Sequence, residues 1–580
     1  MNALDISLVS LPVRAIDRPS LSLPILTSNL KKHGFSVKQR DYNIVFQNEV
    51  ITEFCLKELY TNVLPILLTT NLNNKSNYEA IKEFYVFLEK TNKKYGFFHI
   101  QKIKERMQQR NYKFLSSYED TQACKAVFSI SSKMKTYFKS IVYYISFLEK
   151  NEIDEYVRNK YKSIIDEIIR DLPAIVGVSI MEVQRTFSLW FMHKLRERYD
   201  GYIVAGGSDI SLNKEIYLEE NEFIDFLSWA EGEYAMRQLI NKIKEGDQDY
   251  SDIPALIYRK KEKIQRNEMF EQCEEEWDEA DYEGFPMNLY LTPALQLLTS
   301  KGCEWSKCQF CMHWNSYGLK FRQKKVYQVI DEMERQSLKY NTNLFIFVDE
   351  AISPEYDREL SLEILKRSLN VRWMQMSRLD DGYNTQIFET MYQSGCRAIE
   401  WGQESGSQQV LDSMCKGTNV KASQRIYHEA ATKGIINKTL MFHNYPTEEV
   451  KDLVQSVKLI EKNGKNRFVK PMLTLRHDFV LKLGSPLAQA AFEDKSGEVF
   501  AKVWKPASLY NLNAKYISAK NEDKAKKMMI EEYLNDMSEH YRRLNVYLTN
   551  NEDIAMDLVL IKEKEDGSIL SVDVYQPYGY

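Results

Sequence analysis

The sequence is poor in the residues that define several classes of protein. Only 14 of the 580 residues are proline and 22 are glycine, and no low-complexity tract interrupts the chain, which excludes a fibrous or disordered protein. The formal net charge is −4, so no global positive field exists to hold a nucleic-acid backbone, and dedicated nucleic-acid binding is not expected. The length predicts about three or four domains of roughly 150 residues each.

Long apolar runs are also missing. A membrane-spanning helix needs about 20 consecutive apolar residues, and the richest run, residues 141–148, is far shorter. The first five residues, Met-Asn-Ala-Leu-Asp, have neither the basic n-region nor the apolar h-region of a secretory signal. We therefore expect a cytoplasmic protein without a membrane segment.

Cysteine is scarce but unevenly distributed. Eight cysteines in 580 residues are too few for a disulfide scaffold, and the cytosol would keep them reduced. Three of them, Cys303, Cys308 and Cys311, lie within nine consecutive positions. If this spacing is not accidental, it fits two kinds of metal centre. A structural zinc site would need a fourth ligand, for which His313 lies close by, whereas an iron–sulfur cubane held by three cysteines leaves one iron open.

The hydrophobic pattern predicts two α/β regions. The first opens with a strand at 4–10, a helix ending before Gly34 and a second strand at 35–40. Residues 48–170 have helical spacing and almost no glycine, which predicts a helical insertion. The α/β pattern resumes at 174–179 and 201–207 with glycine at strand ends, as in a doubly wound, Rossmann-like sheet that binds a ligand at its carboxyl edge.

From residue 291 onward, strands and helices alternate. The predicted strands are 295–299, 344–348, 371–376, 398–401, 438–442 and 473–480, and the predicted helices between them are 323–338, 358–369, 384–394, 422–434 and 448–463. Six parallel βα units predict a partial (β/α)6 barrel with its chemistry at the carboxyl ends of the strands. The cysteine cluster follows the first of these strands, and this position favours the iron–sulfur interpretation.

These patterns divide the chain into four predicted parts. They are a Rossmann-like domain at 1–235 with an insertion at about 48–170, a connector at 236–290, a barrel at 291–486 and an α+β C-terminal extension at 487–580. The extension is predicted to contain a helix at 521–545 and a strand at 555–561.

The cysteine segment resembles that of the radical S-adenosylmethionine (SAM) enzymes, in the subgroup with an N-terminal cobalamin-binding-type domain. The resemblance covers roughly residues 1–486. The family usually has C-x3-C-x2-C with an aromatic residue before the third cysteine, whereas this chain has C-x4-C-x2-C, with Phe310 at the aromatic position. The resemblance implies that Cys303, Cys308 and Cys311 hold a [4Fe–4S] cluster. It further implies that the open iron binds SAM and that SAM is cleaved to a 5′-deoxyadenosyl radical.

Later segments resemble the family in the same order as the predicted strands. Asp349 and Glu350 end the second strand, and Arg378 ends the third, where a guanidinium can bind the SAM carboxylate bidentately. Residues 395–407 are similar to the fourth-strand G-x-E-S-G-S segment, and 441–448 to the fifth-strand segment, with Asn444 where glycine is usual. The Gly-Ser-Pro at 484–486 fits the end of the sixth strand. The resemblance implies a SAM site formed by Phe310, Asp349, Glu350, Arg378, Glu404 and Ser405.

The first domain resembles the cobalamin-binding pattern of the subgroup at its strand ends. The residues that this resemblance places against cobalamin are Pro19, Ser179, Gly206, Gly207 and Ser208. The D-x-H-x-x-G motif that supplies a histidine to cobalt in some cobalamin proteins is absent. Some members of the subgroup keep the domain and bind no cobalamin.

The resemblance implies an enzyme that methylates an unactivated carbon with SAM, a [4Fe–4S] cluster and cobalamin. It extends to enzymes that mature ribosomally made peptides, so a peptide is the favoured substrate, with a small molecule as the alternative. An electron donor such as flavodoxin or ferredoxin is the implied partner. Two other functions stay open. One is a cobalamin-independent epimerase, cyclase or rearrangement enzyme. An epimerase needs a hydrogen donor, for which Cys396 and Cys415 are candidates. The other is a non-catalytic cobalamin or SAM sensor, which would not need three cluster cysteines.

Overall fold

The computed structural model divides the chain into two compact units, Met1–Pro293 and Ala294–Tyr580. The residues that it describes are 4–12, 14, 16–69, 75–109, 123–124, 126–131, 133–134, 154–269, 277–312, 320–464, 466, 468–472, 478–493, 498–504, 513–519, 525–526, 528, 561–563 and 569–572. No helix in this part of the chain is both long enough and apolar enough to span a bilayer.

The first unit is built on a seven-stranded sheet in the order β2-β1-β3-β4-β5-β6-β7. Its strands are β1 (Ile6–Ser10), β2 (Val37–Asp41), β3 (Ile175–Ser179), β4 (Tyr202–Gly206), β5 (Phe226–Ser228), β6 (Leu256–Lys260) and β7 (Lys263–Arg266). The first five strands are parallel, and β6 and β7 add antiparallel strands at one edge. In a sheet of order 2-1-3-4-5, the strand order reverses between β1 and β3, and ligands bind at the carboxyl ends of these two strands.

Helices connect the strands of the first unit. They are α1 (Ser22–Lys32), α2 (Tyr42–Val50), α3 (Glu53–Glu58), α4 (Leu64–Thr69), α5 (Lys75–Tyr95), α6 (Phe97–Gln108), α7 (Asp154–Arg170), α8 (Arg185–Arg196), α9 (Ser208–Asn213), α10 (Ile216–Glu220) and α11 (Gly232–Glu245). A π-helical turn, Leu59–Val63, joins α3 to α4. The helices from α2 to α7 occupy the described part of the predicted insertion, and residues 236–290, predicted as a connector, contribute β6 and β7 to the sheet.

The second unit contains a six-stranded sheet in the order β15-β14-β13-β12-β11-β8, in which every pairing is parallel. Its strands are β8 (Leu295–Leu297), β11 (Leu344–Phe347), β12 (Arg372–Ser377), β13 (Cys396–Glu404), β14 (Ile436–Met441) and β15 (Val469–Met472). Two short strands, β9 (Ser300–Lys301) and β10 (Arg322–Gln323), pair separately. The predicted α/β fold with a partial (β/α)6 barrel is confirmed.

The helices of this barrel alternate with its strands. They are α12 (Val326–Tyr340), α13 (Pro354–Lys366), α14 (Thr385–Gln393), α15 (Gln408–Ser413), α16 (Val420–Thr432) and α17 (Val450–Asn463). Local capping explains several boundaries: Ser353 accepts the N–H of Tyr356 at the start of α13, and Asn384 caps α14 in the same way. Gly395, with φ +103°, follows the end of α14 and turns the chain into β13.

The sixth strand differs from the prediction. It was expected at 473–480, but β15 begins at Val469 and contains Pro471. Proline is tolerated here because, among the described residues, β15 lies at the edge of the sheet, where one row of N–H groups has no partner strand. Residues 473–477 lie outside the described part of the chain, and Asp478 again pairs in parallel with His443, beyond the end of β14.

The C-terminal extension adds a helix and short antiparallel strands. Helix α18 (Pro486–Glu493) lies between the first and second strands of an antiparallel sheet of order β16-β18-β17, and a separate pair of strands, β19 and β20, follows. These strands are β16 (Leu481–Lys482), β17 (Phe500–Trp504), β18 (Asn513–Ser518), β19 (Ile561–Glu563) and β20 (Ile569–Val572). The helix predicted at 521–545 and the strand predicted at 555–561 lie almost entirely outside the described residues.

One face of the barrel sheet forms an apolar core, and the other face packs against helices through aromatic and polar side chains. Ala294, Leu344, Ile346, Met374, Ala398 and Ile436 form the apolar core. On the helical side, the fully buried Asp357 accepts hydrogen bonds from Gln375 Nε2 at 2.6 Å and the Tyr383 hydroxyl at 2.5 Å.

This buried carboxyl predicts a pH dependence of stability. Burial raises the pKa of Asp357 to about 7, so the folded chain holds a proton that the unfolded chain has released above about pH 4. The contribution of Asp357 to stability should therefore fall as the pH rises from about 4 to 7 and remain lower above that range. We expect Asp357→Asn, which resembles the protonated acid, to reduce the loss between pH 5 and pH 8 in urea unfolding. Equal losses in the variant and the wild type would contradict this prediction.

Candidate functional site

The three clustered cysteines lie on a loop that follows the first barrel strand. The base of this loop is closed by β9 and β10, which pair Lys301 with Arg322. Gly302 enters the loop with φ +90°, a conformation that favours glycine. Cys303, Cys308 and Cys311 are all partly exposed and free of disulfides, whereas the neighbouring His313 lies outside the described residues.

A second loop, the 414–417 segment that follows α15, holds the cysteine loop in place. The N–H of Gln309 donates to the Met414 carbonyl at 2.9 Å, and the Trp305 indole donates to the Cys415 carbonyl at 2.8 Å. The Trp305 ring lies so close to Gly417 that an added Cβ there would meet it at 2.1 Å. A glycine is therefore needed at position 417, where φ is +68°.

Arg378, at the end of β12, completes this contact. Its guanidinium lies 4.2 Å from the centre of the Trp305 ring, a cation–π distance. It also donates to the carbonyl of Lys416 at 3.0 Å. The predicted SAM residue Arg378 is thus positioned between the cysteine loop and the 414–417 segment.

Burial and charge act in opposite directions on Cys308. Burial raises the pKa of the Cys308 thiol above its ordinary value, Lys416 and Arg378 oppose that rise, and Glu404 and Cys303 add to it. Lys416 Nζ lies 2.7 Å from Glu404 Oε1, and both side chains are largely buried. Lys416 and Arg378 offset part of the cost of forming the Cys308 thiolate, the form that binds iron, and three thiols on one loop fit a cluster with three thiolate ligands.

Within the described part of the chain, no three His, Cys, Asp or Glu side chains are grouped closely enough to hold one metal ion. His313, the fourth ligand that a zinc site would need, lies outside that part. In an iron–sulfur cubane, by contrast, each cysteine binds a different iron.

The other predicted SAM residues have different surroundings. Phe310 packs edge-on against Phe442 at 5.5 Å. Glu350 is partly exposed. Asp349 is fully buried, and its carboxylate accepts hydrogen bonds from Thr299 and Ser300.

The Glu-Ser-Gly-Ser segment after β13 is divided between two roles. Glu404, with φ +62°, turns toward Lys416. Ser405 is buried and lies 3.3 Å from the Ser456 hydroxyl on α17, and an added Cβ on Gly406 would meet Ser456 Cα at 2.5 Å. Ser405 and Gly406 therefore pack this segment against a helix, whereas Glu404 remains beside the cysteine loop.

The two cysteines considered as hydrogen donors are far apart in the barrel. Cys396 begins β13, at the end of the strand opposite to Glu404, and is fully buried. Cys415 is exposed, and its Sγ lies 3.8 Å from Nε2 of Gln309, a residue in the cysteine loop.

Asn444, in the segment after β14, adopts φ +62°. This conformation explains why glycine is usual at this position in the resembled segment.

Small residues line the carboxyl edge of the first sheet at the β1/β3 switch point. Ser10, Ser179 and Gly206 lie side by side in register on β1, β3 and β4. Gly207 has φ +100°, and an added Cβ would meet the Ile180 carbonyl at 2.7 Å. The Ser228 hydroxyl at the end of β5 is buried without a hydrogen-bond partner among the described residues.

This edge therefore presents backbone and small side chains, as a flat macrocycle would require. Of the other residues expected there, Pro19 is buried and Ser208 is exposed as the first residue of α9. The unpartnered Ser228 hydroxyl, which was not predicted from the sequence, also fits a polar ligand at this edge.

The Lys416–Glu404 pair predicts a large effect on stability. In Lys416→Met, the buried Glu404 loses its partner, which costs about 3–5 kcal/mol. Adding Glu404→Leu should restore part of the loss, because an apolar pair of similar volume avoids a buried unpaired charge. Urea unfolding of the cluster-free chain measures both effects, with the exposed Lys421→Met as a matched control. A Lys416→Met variant as stable as Lys421→Met would contradict the prediction.

Comparisons with known proteins bear on the fold and on part of the sequence. No family model matches the chain. Two solved structures match nearly all of the chain. One is the cobalamin-dependent SAM radical enzyme OxsB with aqua-cobalamin and SAM bound, which is 15% identical, with the match covering 95% of this chain and 70% of that chain at a TM-score of 0.58. The other is the radical SAM methyltransferase TsrM of Kitasatospora setae with cobalamin and a [4Fe–4S] cluster bound, which is 15% identical, with the match covering 96% of this chain and 95% of that chain at a TM-score of 0.59.

Three curated relatives match parts of the sequence. An uncharacterized methyltransferase of Pyrococcus horikoshii is 24% identical over 300 residues, or 50% of this chain. Bacteriochlorophyllide d C-12(1)-methyltransferase of Chlorobaculum tepidum is 33% identical over 129 residues, and cytidylyl-2-hydroxyethylphosphonate methyltransferase of Streptomyces wedmorensis is 29% identical over 126 residues. The matches span 64%, 28% and 23% of these relatives' lengths. The likeness to OxsB and TsrM shows that the chain has the fold of these cobalamin-dependent radical SAM enzymes.

Proposed function

We propose that the chain is a cobalamin-dependent radical SAM methyltransferase. The observation that supports this most is the placement of three free cysteines on the loop after the first barrel strand, with Arg378 and Lys416 beside Cys308. The methyltransferase names of the three curated relatives support an enzyme of this class. The bound groups of OxsB and TsrM support the same set of cofactors.

In this proposal, each unit holds one part of the chemistry. Cys303, Cys308 and Cys311 would hold a [4Fe–4S] cluster, and Glu404 and Arg378 would bind SAM beside it. The carboxyl edge of β1, β3 and β4 would hold cobalamin through backbone and small side chains. When bound, the cofactors supply electron transfer, SAM cleavage and methyl transfer. The chain supplies thiolates, a guanidinium for a carboxylate and fixed charges that orient them.

The substrate class is the finer part of the proposal. We favour an unactivated carbon of a ribosomally made peptide, with a small molecule as the alternative. Incubation with deuterated-methyl SAM and a reductant, followed by mass spectrometry of peptides and small molecules from the same reaction, distinguishes the two. Label in a small molecule alone would contradict the peptide assignment and leave the methyltransferase proposal intact.

A cobalamin-independent radical enzyme is the second candidate, because Cys415 lies exposed beside the cysteine loop. A methyltransferase that uses one SAM as methyl donor and another as radical source should release S-adenosylhomocysteine and 5′-deoxyadenosine together. Release of 5′-deoxyadenosine alone, with no bound cobalamin and with Cys415→Ala blocking product formation, would favour the second candidate over the first.

A further inference from the structure

The carboxylate of Asp349 connects the second barrel strand to the start of the cysteine loop. Asp349 follows β11 and is 1% exposed. Its Oδ1 accepts the N–H groups of Thr299 and Ser300 at 2.9 and 2.5 Å and their hydroxyls at 2.9 and 2.6 Å. The Thr299 N–H also lies 3.1 Å from Oδ2. Four donors therefore converge on one carboxylate oxygen.

These donors belong to the two residues at which the loop begins. Cys303 lies three positions after Ser300. The Thr299 carbonyl accepts the N–H of Lys324 at 2.7 Å, and Ser300 pairs with Gln323 in the β9–β10 bridge. The chain entering the loop and the chain leaving it are thus joined at Thr299 and Ser300, the residues that Asp349 holds.

The energetic consequence follows from burial. Backbone N–H groups must be paired when they are out of water, and removing a buried acceptor leaves each donor with its full desolvation cost. Without the carboxylate, Thr299 and Ser300 would gain free energy by turning toward water. The first cysteine would then lose its fixed position relative to the other two.

We propose that Asp349 is a positioning residue for the cluster loop and makes no contact with SAM. It acts through Thr299 and Ser300 to fix the direction in which Cys303 leaves the sheet. The proposal rests on the proposed function insofar as the loop holds a cluster. Its geometric part, the restraint of the loop, concerns the chain alone.

The test compares Asp349→Ala with Asp357→Ala. Both variants remove a fully buried carboxylate from the same unit, but Asp357 bonds to Gln375 and Tyr383 and not to the loop. We expect Asp349→Ala to weaken cluster retention about 10–100-fold, as for residues that orient metal ligands, and to alter the electron paramagnetic resonance signal of the reduced cluster with SAM. Asp357→Ala should retain the wild-type signal and iron content.

A second readout requires no cluster. In cluster-free protein, the amide hydrogens of residues 299–303 should exchange with solvent faster in Asp349→Ala than in the wild type or in Asp357→Ala. Local opening of the loop costs less free energy in Asp349→Ala, because no hydrogen bonds to the carboxylate have to be broken. Asp349→Asn keeps one acceptor oxygen and should recover much of the retention and protection. If Asp349→Ala does not fold, Ser300→Ala, which removes one hydroxyl donor, should change both readouts in the same direction but less.

The outcomes separate this inference from the proposed function. A wild-type chain that binds no iron, but whose loop exchanges faster in Asp349→Ala, would contradict the proposed function and support the restraint of the loop. An iron-loaded wild type, together with an Asp349→Ala variant of equal iron content and unchanged loop exchange, would overturn the inference. An unchanged cluster signal with weakened SAM binding would also overturn it, because it would restore Asp349 as a SAM contact.

Discussion

Cys308→Ala should leave a folded chain that binds no stable [4Fe–4S] cluster and cleaves SAM no faster than a preparation without iron. Cys308 is the thiol surrounded by Lys416, Arg378 and Glu404, and alanine removes the ligand without disturbing the Lys416–Glu404 pair. A cubane held by three cysteines has no spare protein ligand. We therefore expect loss of its visible absorption and of 5′-deoxyadenosine formation, with the same result for Cys303→Ala and Cys311→Ala.

The matched control for this prediction is Cys55→Ala. Cys55 is also free and partly exposed, but it lies on α3 in the first unit. This variant should keep the iron content and the cleavage rate of the wild type. Full activity in any of the three loop variants would refute the ligand assignment, and equal loss in Cys55→Ala would show that the effect is not specific to the loop.

Gly395→Ala should give the largest loss of stability among single methyl additions to the barrel. The φ of Gly395 is +103°, and its added Cβ would lie 1.9 Å from the Val371 carbonyl oxygen. Left-handed backbone costs an L-residue about 1–2 kcal/mol, and overpacking adds about 1–3 kcal/mol, so a loss of about 2–5 kcal/mol is expected. The strain would fall on the β12–β13 pairing, whose carboxyl ends position Arg378 and Glu404.

Gly246→Ala provides the control for backbone strain without a clash. Gly246 also follows a helix with positive φ, at +72°, but no atom of the described residues lies within 4 Å of its added Cβ. The Gly246→Ala variant should lose only the stability that corresponds to the left-handed backbone of an L-residue, about 1–2 kcal/mol. Urea unfolding of both variants measures the difference, and equal losses would contradict the close contact at Val371.

The sequence predicts the parallel strands because apolar runs ending in small or polar residues alternate with helical spacing. That pattern located β11, β12 and β14 to within a few residues. It failed at β15, where Pro471 interrupts the apolar run although the edge of a sheet tolerates it. The positive φ of Asn444 and Gly395 is a conformation that favours glycine or asparagine at such positions.

The site is predictable where one residue type performs the chemistry and less so where contacts depend on folding. The cysteines and Glu404 belong to local motifs. Lys416 and Trp305 had no such signal, because the Trp305 indole bonds to a carbonyl 110 positions away. Asp349 lies at a position where a SAM contact is expected, but its carboxylate accepts hydrogen bonds from Thr299 and Ser300. These residues meet only because β8 and β11 pair in this register.

The most direct test of the account is quantification of iron, sulfide and cobalamin in the anaerobically purified and reconstituted chain, followed by SAM turnover under reducing conditions. We predict about four irons and one cobalamin per chain, with release of 5′-deoxyadenosine and S-adenosylhomocysteine. A chain that binds no cluster or releases no 5′-deoxyadenosine would contradict the radical SAM assignment, and a chain with a full cluster but no cobalamin would contradict the methyltransferase assignment.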